Sequence, residues 1–270
     1  MTIQAPGLSA SATLNMAGKK GLVVGVANEH SLAWAAARHL HGGGADLALT
    51  YLNDRARPFV ARLASALSAP ILVPCDVLQD GALEAVFENI EQSWGRLDFV
   101  LHAIAWAPAD DLNGRLTDCS QEGFSQAMQV SCHSFIRMAK LAEPLMRDGG
   151  SLTTLSFLGA ERVVDHYNVM GPVKAALESS VRYLAHELGP RGIRVNAISA
   201  GAVKTRAASG LEHFDELIGE TEAKAPLRRT VTADEVGRAA LLLASDHTTA
   251  ITGEVLHVDA GFHIDGMIFH

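Results

Sequence analysis

Tyr167, Met170 and Lys174 set a phenol, a thioether and an ammonium three and four residues apart. If the stretch is helical, that spacing puts all three on one face. An ammonium fixed beside a phenol favours the phenol's hydrogen-bonding and ionised forms, which suits an acid placed next to developing negative charge. An amphipathic helix with one exposed Tyr and one exposed Lys would read the same way. The surrounding elements decide between the two.

Those elements alternate. Apolar runs at 20–27, 45–51, 71–74, 97–104, 151–157, 193–199 and 251–258 read as strands, and the runs between them carry helical periodicity. Pro144 marks the end or a kink of a long helical stretch over 121–146, and Gly189-Pro190 stops the helix carrying Lys174. Thr232 to Glu235 has the pattern of a capping box opening a helix over 233–244. Seven strands alternating with helices imply an α/β fold, a doubly wound (Rossmann) seven-stranded parallel sheet in a single domain. The domain is expected over 17–270, after a loose tail at 1–16 rich in Ala, Ser and Thr. Residues 201–230 break the alternation, with one helical patch around Phe214, and read as a segment covering a site.

In such folds a ligand lies past the carboxyl ends of the strands. Gly25, Asp76, Ile104, Phe157 and Ala200 all fall at such ends. The small-residue turn from Gly25 to a helix capped by Ser31 can cradle a phosphate with free N–H groups, although the usual GxGxxG signal is missing. Leu52 stands at the end of the second strand, where an acidic residue normally binds a ribose. Asp76 either hydrogen-bonds an adenine amino group or simply forms a turn. The convergence of these ends raises Tyr167 and Lys174 above an incidental pair.

Composition narrows the class. A net charge of −8 without a basic run argues against nucleic acid as a partner. Three cysteines without CxxC spacing fit reduced thiols in a cytosolic protein. No secretory signal and no apolar run of membrane-spanning length is found. The twelve histidines show no HExxH or comparable spacing, so no metal site is expected.

Further motifs carry a specific resemblance. Leu158-Gly-Ala-Glu-Arg162 precedes Tyr167-Asn-Val-Met-Gly171 and Lys174; Cys75-Asp-Val77, Val195-Asn-Ala-Ile-Ser-Ala-Gly201, Ala207-Ala-Ser-Gly210, Arg228-Arg-Thr-Val-Thr232 and His257-Val-Asp259 occur in the same order. Over roughly 17–263 the chain resembles the short-chain dehydrogenase/reductases, and within them the enoyl-acyl-carrier-protein reductases of bacterial type II fatty-acid synthesis. The wide Tyr-x6-Lys spacing marks that branch.

The resemblance implies a cytoplasmic homotetramer that transfers hydride from NADH to the β-carbon of a 2-enoyl thioester on acyl carrier protein. Tyr167 would stabilise the enolate, and Lys174 would hold the nicotinamide ribose. By the same carry-over Gly25, Ser31, Leu32, Leu52, Asp76, Val77, Ile104, Lys174, Val203, Lys204, Thr205, Arg206 and Ala207 would line the cofactor. Ala107, Phe157, Met170 and Phe214 would line the acyl side. NADH is expected over NADPH because a 2′-phosphate would meet Asp54 before Arg55 or Arg57.

Four positions depart from the family. Phe157 stands where a second tyrosine is usual, Ala105 replaces a glycine beside the nicotinamide, Leu52 replaces a polar residue, and Pro172 belongs in a helix's first turn or at a kink. Two other readings therefore stay open: a paralogue acting on another enone, ketone or alcohol, and a low-turnover nucleotide-binding regulator.

Overall fold

The computed structural model describes residues 14–203, 205 and 214–265. Seven strands form one parallel sheet in the order β3-β2-β1-β4-β5-β6-β7: β1 (Lys20–Val24), β2 (Asp46–Tyr51), β3 (Ile71–Pro74), β4 (Phe99–His102), β5 (Gly150–Ser156), β6 (Ile193–Ala200) and β7 (Val255–Val258). Because every pairing is parallel, all carboxyl ends share one edge. The chain reverses its direction of travel between β1 and β4, which opens a crevice there.

The central strands β1, β4, β5 and β6 are short runs buried on both sides, as helices on both faces require, while the edge strands β3 and β7 are partly exposed. Leu22 and Val24 of β1 point into a core with α3 (Ala82–Trp94), α6 (Ser134–Ala142) and α7 (Met170–Leu188), through Phe87, Phe135 and Leu177. Val23 points the other way, toward Trp34 and Leu40 of α1 (Leu32–Gly42), Val60 of α2 (Arg57–Ala66) and Leu243 of α9 (Ala233–Ala244). This period-two division of one strand between two cores specifies its register.

Helix ends follow their sequence signals. Ser31 Oγ accepts from Trp34 N at the start of α1, and Thr232 and Glu235 close a reciprocal capping box on α9. Strands β1, β4 and β7 are shorter than their apolar runs suggest. Beyond β1 the chain turns at Gly25, with φ +108; a Cβ there would lie 2.2 Å from the Ala103 carbonyl oxygen. The stretch 105–120 holds the single turn α4 (Ala109–Leu112) and a 3₁₀ turn, Leu116–Asp118.

The long helical stretch is α5 (Gln121–Met128), a π-helical turn (Gln129–His133) and α6, with Pro144 in a closing 3₁₀ turn. Inside the π turn, Ser131 Oγ accepts from Trp106 N (2.9 Å) and donates to Trp106 O (3.1 Å), pinning the loop after β4. α8 (Phe214–Lys224) supplies the helical patch within 201–230. Of the expected tail, residues 1–13 lie outside the described residues. Met16 is fully buried against α1, its N–H bonded to Gly43 O, so its side chain belongs to the core rather than to a loose tail.

Candidate active site

Tyr167 is not on the helix. α7 begins at Met170, and Tyr167 precedes it between His166 (φ +62) and Asn168 (φ +40). These left-handed residues break the helical repeat that the spacing suggested. Met170 and Lys174 do share α7, whose first turn accommodates Pro172 where no helical N–H partner is needed. Asn168 Nδ2 donates to Leu112 O at 2.7 Å and ties the tyrosine turn to α4.

The phenol ring is set from below. Phe157, the residue after β5, meets the Tyr167 ring at 4.7 Å between centroids and 56°, a tilted geometry that adds to area burial. Gly159 leaves the space: a Cβ there would lie 2.3 Å from the Tyr167 ring. Burial pushes the Tyr167 phenol well above its ordinary pKa, and the Glu178 carboxylate adds to the shift. The expected drift toward an ionised phenol is therefore reversed, because desolvation and the Glu178 charge both favour the neutral form. A neutral phenol is the form that can donate a hydrogen bond.

Lys174 is 4% exposed and its Nζ donates to Leu155 O at 2.7 Å. Burial pulls its ammonium down to about 8, while Cys132 and Glu178 oppose that drop. A buried amine balanced near neutral pH is a mark of a functional site. Beside it lies His102, fully buried at the end of β4. Ser134 Oγ donates to Val130 O, so it accepts from His102 Nε2 (2.8 Å), and Thr154 Oγ1 donates to Nδ1 (2.7 Å). Burial, with the Lys174 charge, holds this imidazole neutral, its pKa down to about 3.

The cofactor-side positions spread along the same edge. Gly25, Ser31 and Leu32 lie in and after the β1 turn. Leu52 follows β2 and is 56% exposed; Asp76 and Val77 follow β3, and Ile104 follows β4. Asp76 Oδ1 accepts from Leu78 N, so the turn-forming reading holds for that oxygen. Val77 is buried and its carbonyl accepts from Arg137 Nη1. Val203 and Thr205 follow β6. Lys204, Arg206 and Ala207 lie outside the described residues, as does the side chain of Phe214. Ala107 and Met170 are buried in the core beside α7.

A cavity of about 500 Å³ is lined by Glu29 and His30 of the β1 turn, by Val203, and by Ile218 and Glu222 of α8. It brings 201–230 against the β1 turn but does not include Tyr167 or Lys174. The geometry fits a dinucleotide: the β1 turn and the capped N-terminus of α1 offer N–H groups, α1 has no acidic residue in its first turn, and Lys174 is held at the end of β5 on the same sheet edge. Sequence reading passed over His102, Ser131 and Glu178. Glu178 is detectable in principle as a carboxylate one turn after Lys174 among Leu177 and Val181.

Comparison with known proteins agrees with this fold. Residues 25–263 match the family model described as Enoyl-(Acyl carrier protein) reductase. The chain is 50% identical over 252 residues to enoyl-[acyl-carrier-protein] reductase [NADH] 1 of Rhizobium meliloti, covering 93% of each. It is 48% identical to the NADH enzyme of Nostoc sp., over 94% of this chain and all of that one. Among solved structures, the Anaplasma phagocytophilum reductase in complex with NAD superposes with a TM-score of 0.90 at 50% identity, over 93% of this chain and 96% of that one. The Bacillus cereus reductase with NADP+ and indole naphthyridinone gives 0.92 at 47%, over 94% and 100%. A doubly wound sheet of this order, a loop-borne Tyr167 seven residues before Lys174, and identities of this size lead to one conclusion: the chain belongs to the enoyl-acyl-carrier-protein reductase family.

Proposed function

We propose that Tyr167 and Lys174 carry the enoyl-thioester reduction that defines this family, with NADH as cofactor. A reduced nicotinamide, when bound, supplies the hydride that reaches the β-carbon of the substrate. The electrons then collect on the thioester oxygen, and the residues of this chain act there. The neutral Tyr167 phenol donates a hydrogen bond to that oxygen, a contact that strengthens as charge develops. Lys174 holds ribose hydroxyls and adds positive potential beside the same point. Gly25, Ser31, Leu32, Leu52, Asp76, Val77, Ile104, Val203 and Thr205 line the cofactor; Ala107, Phe157 and Met170 line the acyl side.

The observation that carries this reading is the joint placement of Phe157, Tyr167 and Lys174 where β5 meets α7, with the ammonium buried. Measuring NADH and NADPH oxidation with crotonyl and longer enoyl thioesters tests it; no turnover on any of them overturns it. Phe157 favours a second reading, a paralogue acting on another enone, ketone or alcohol, since its ring brings no hydroxyl to the site. Turnover of such compounds above enoyl thioesters would select that reading.

The donor of the substrate is acyl carrier protein, and the enzyme works as a cytoplasmic homotetramer. The exposed Tyr183 on α7 (71%) supports a contact surface on that helix, and light scattering of the purified protein checks the number of subunits. Among the described residues no helix is long and apolar enough to cross a membrane.

A further inference from the structure

Leu155 and Ser156 are consecutive residues at the end of β5, and each grips α7. Leu155 O accepts from Lys174 Nζ at 2.7 Å, and Ser156 Oγ donates to the Glu178 carboxylate. Lys174 and Glu178 are one helical turn apart, so the strand end holds both ends of a single turn. Glu178 is 5% exposed. A carboxylate in that place is costly for folding, and an apolar residue of similar size would pack there at less cost. Its presence therefore calls for a role beyond packing.

We propose that Glu178 is a positioning residue for the Tyr167–Lys174 pair: held by Ser156, it seats α7 on the end of β5 and supplies the negative charge that offsets the buried ammonium. The inference rests on the reading that Tyr167 and Lys174 carry the reaction. The charges around it are few. Glu178 meets Ser156 from β5, Glu161 from the segment before the tyrosine turn, and Lys174 and Arg182 from its own helix. Lys174 meets Cys132 from the π turn, Glu178 from α7 and His102 from β4. Burial raises the Glu178 carboxyl above its ordinary range, while Ser156, Arg182 and Lys174 pull it back. Its charge works against the drop at Lys174 and adds to the rise at Tyr167. Removing the charge thus lets both groups lose protons more easily.

The test is the pH dependence of kcat/KM for NADH, with one enoyl thioester, in wild type, Glu178→Gln and Ser156→Ala. Glutamine keeps the shape and an acceptor for Ser156 but removes the charge. Its alkaline limb should move to lower pH, so that activity on that limb falls about three- to fivefold more than at neutral pH, as expected for one partly screened charge nearby. A purely structural role would lower the rate equally at every pH, and that result overturns the proposal.

Ser156→Ala keeps the carboxylate and removes its donor, so Glu178 should take up a proton at higher pH. Its acid limb should move up while the alkaline limb stays in place. Should Glu178→Gln not fold, this second profile decides: an unmoved acid limb overturns the proposal. Tyr167→Phe, assayed alongside, separates the two failures. A slow Tyr167→Phe with flat Glu178→Gln and Ser156→Ala profiles rejects only the role of Glu178. A Tyr167→Phe enzyme of wild-type rate rejects the underlying site.

Discussion

The two ends of the site are built on opposite principles. Where β5 meets α7, Lys174, Glu178 and His102 are ionisable groups almost without solvent. At the ends of β2 and β3, Leu52 is 56% exposed, and Asp54 and Arg55 face water. One charge at the buried end acts through a low dielectric on its neighbours, whereas one charge at the exposed end is screened. Substitutions at the first should therefore change chemistry and pH behaviour, and at the second only preference.

The largest break in the comparison comes from Tyr167→Phe. Its kcat should fall by about 10²- to 10⁴-fold, the usual range for a lost acid in the transition state, with little change in NADH affinity. Lys174→Ala should lower kcat and also raise KM for NADH; steady-state kinetics on one enoyl thioester separates the two. A tyrosine variant with unchanged kcat would erase the distinction between the ends.

Next in size is the acid lability set by His102. Its folded pKa of about 3 lies below its ordinary 6.5, so within that window the unfolded chain binds a proton that the fold does not. Stability should then rise with pH across the window, be complete above about 6.5, and erode on acidification by up to about 1.4 kcal/mol per pH unit. Urea titrations between about pH 4 and 7 measure the slope, and His102→Gln should flatten it.

The exposed end should respond more weakly. Leu52→Arg should raise kcat/KM for NADPH relative to NADH about five- to tenfold, since a guanidinium can pair with a phosphate but remains screened at this exposure. An unmoved ratio would mean that the position does not read the ribose.

Phe157→Tyr sharpens the picture with the smallest effect. The aromatic contact with Tyr167 is already present, so restoring the hydroxyl should change kcat only a few-fold. A hundredfold gain, within the general-acid range, would show that the hydroxyl does chemistry.

The parallel sheet, the capped helices and the strand ends that gather the site were legible because apolar period, glycine and N-cap signals are local. Tyr167 was misplaced because spacing alone cannot report the positive φ of His166 and Asn168. The apolar run 20–27 outlasts β1 because hydrophobicity continues through Val26 and Ala27 after the turn at Gly25, where the backbone closes on Ala103. The burial and hydrogen bonding of His102 and Glu178 depend on partners 32 and 52 residues away for the first and 22 for the second. No short window of sequence contains them.

The π turn at Gln129–His133 has a consequence for any attempt to shorten or regularise this helix. A π turn carries one residue more than α-helical geometry needs. Deleting a single residue from it would give a more regular α-helix and could make that segment intrinsically easier to form. Because the wider turn absorbs the extra residue, α5 and α6 would keep nearly the same relative orientation, and the change would be confined to the turn itself. Ser131 lies inside that turn, so its bonds to the N–H and carbonyl of Trp106 are what such a deletion would disturb. The extra residue serves the loop after β4 rather than the helix that carries it.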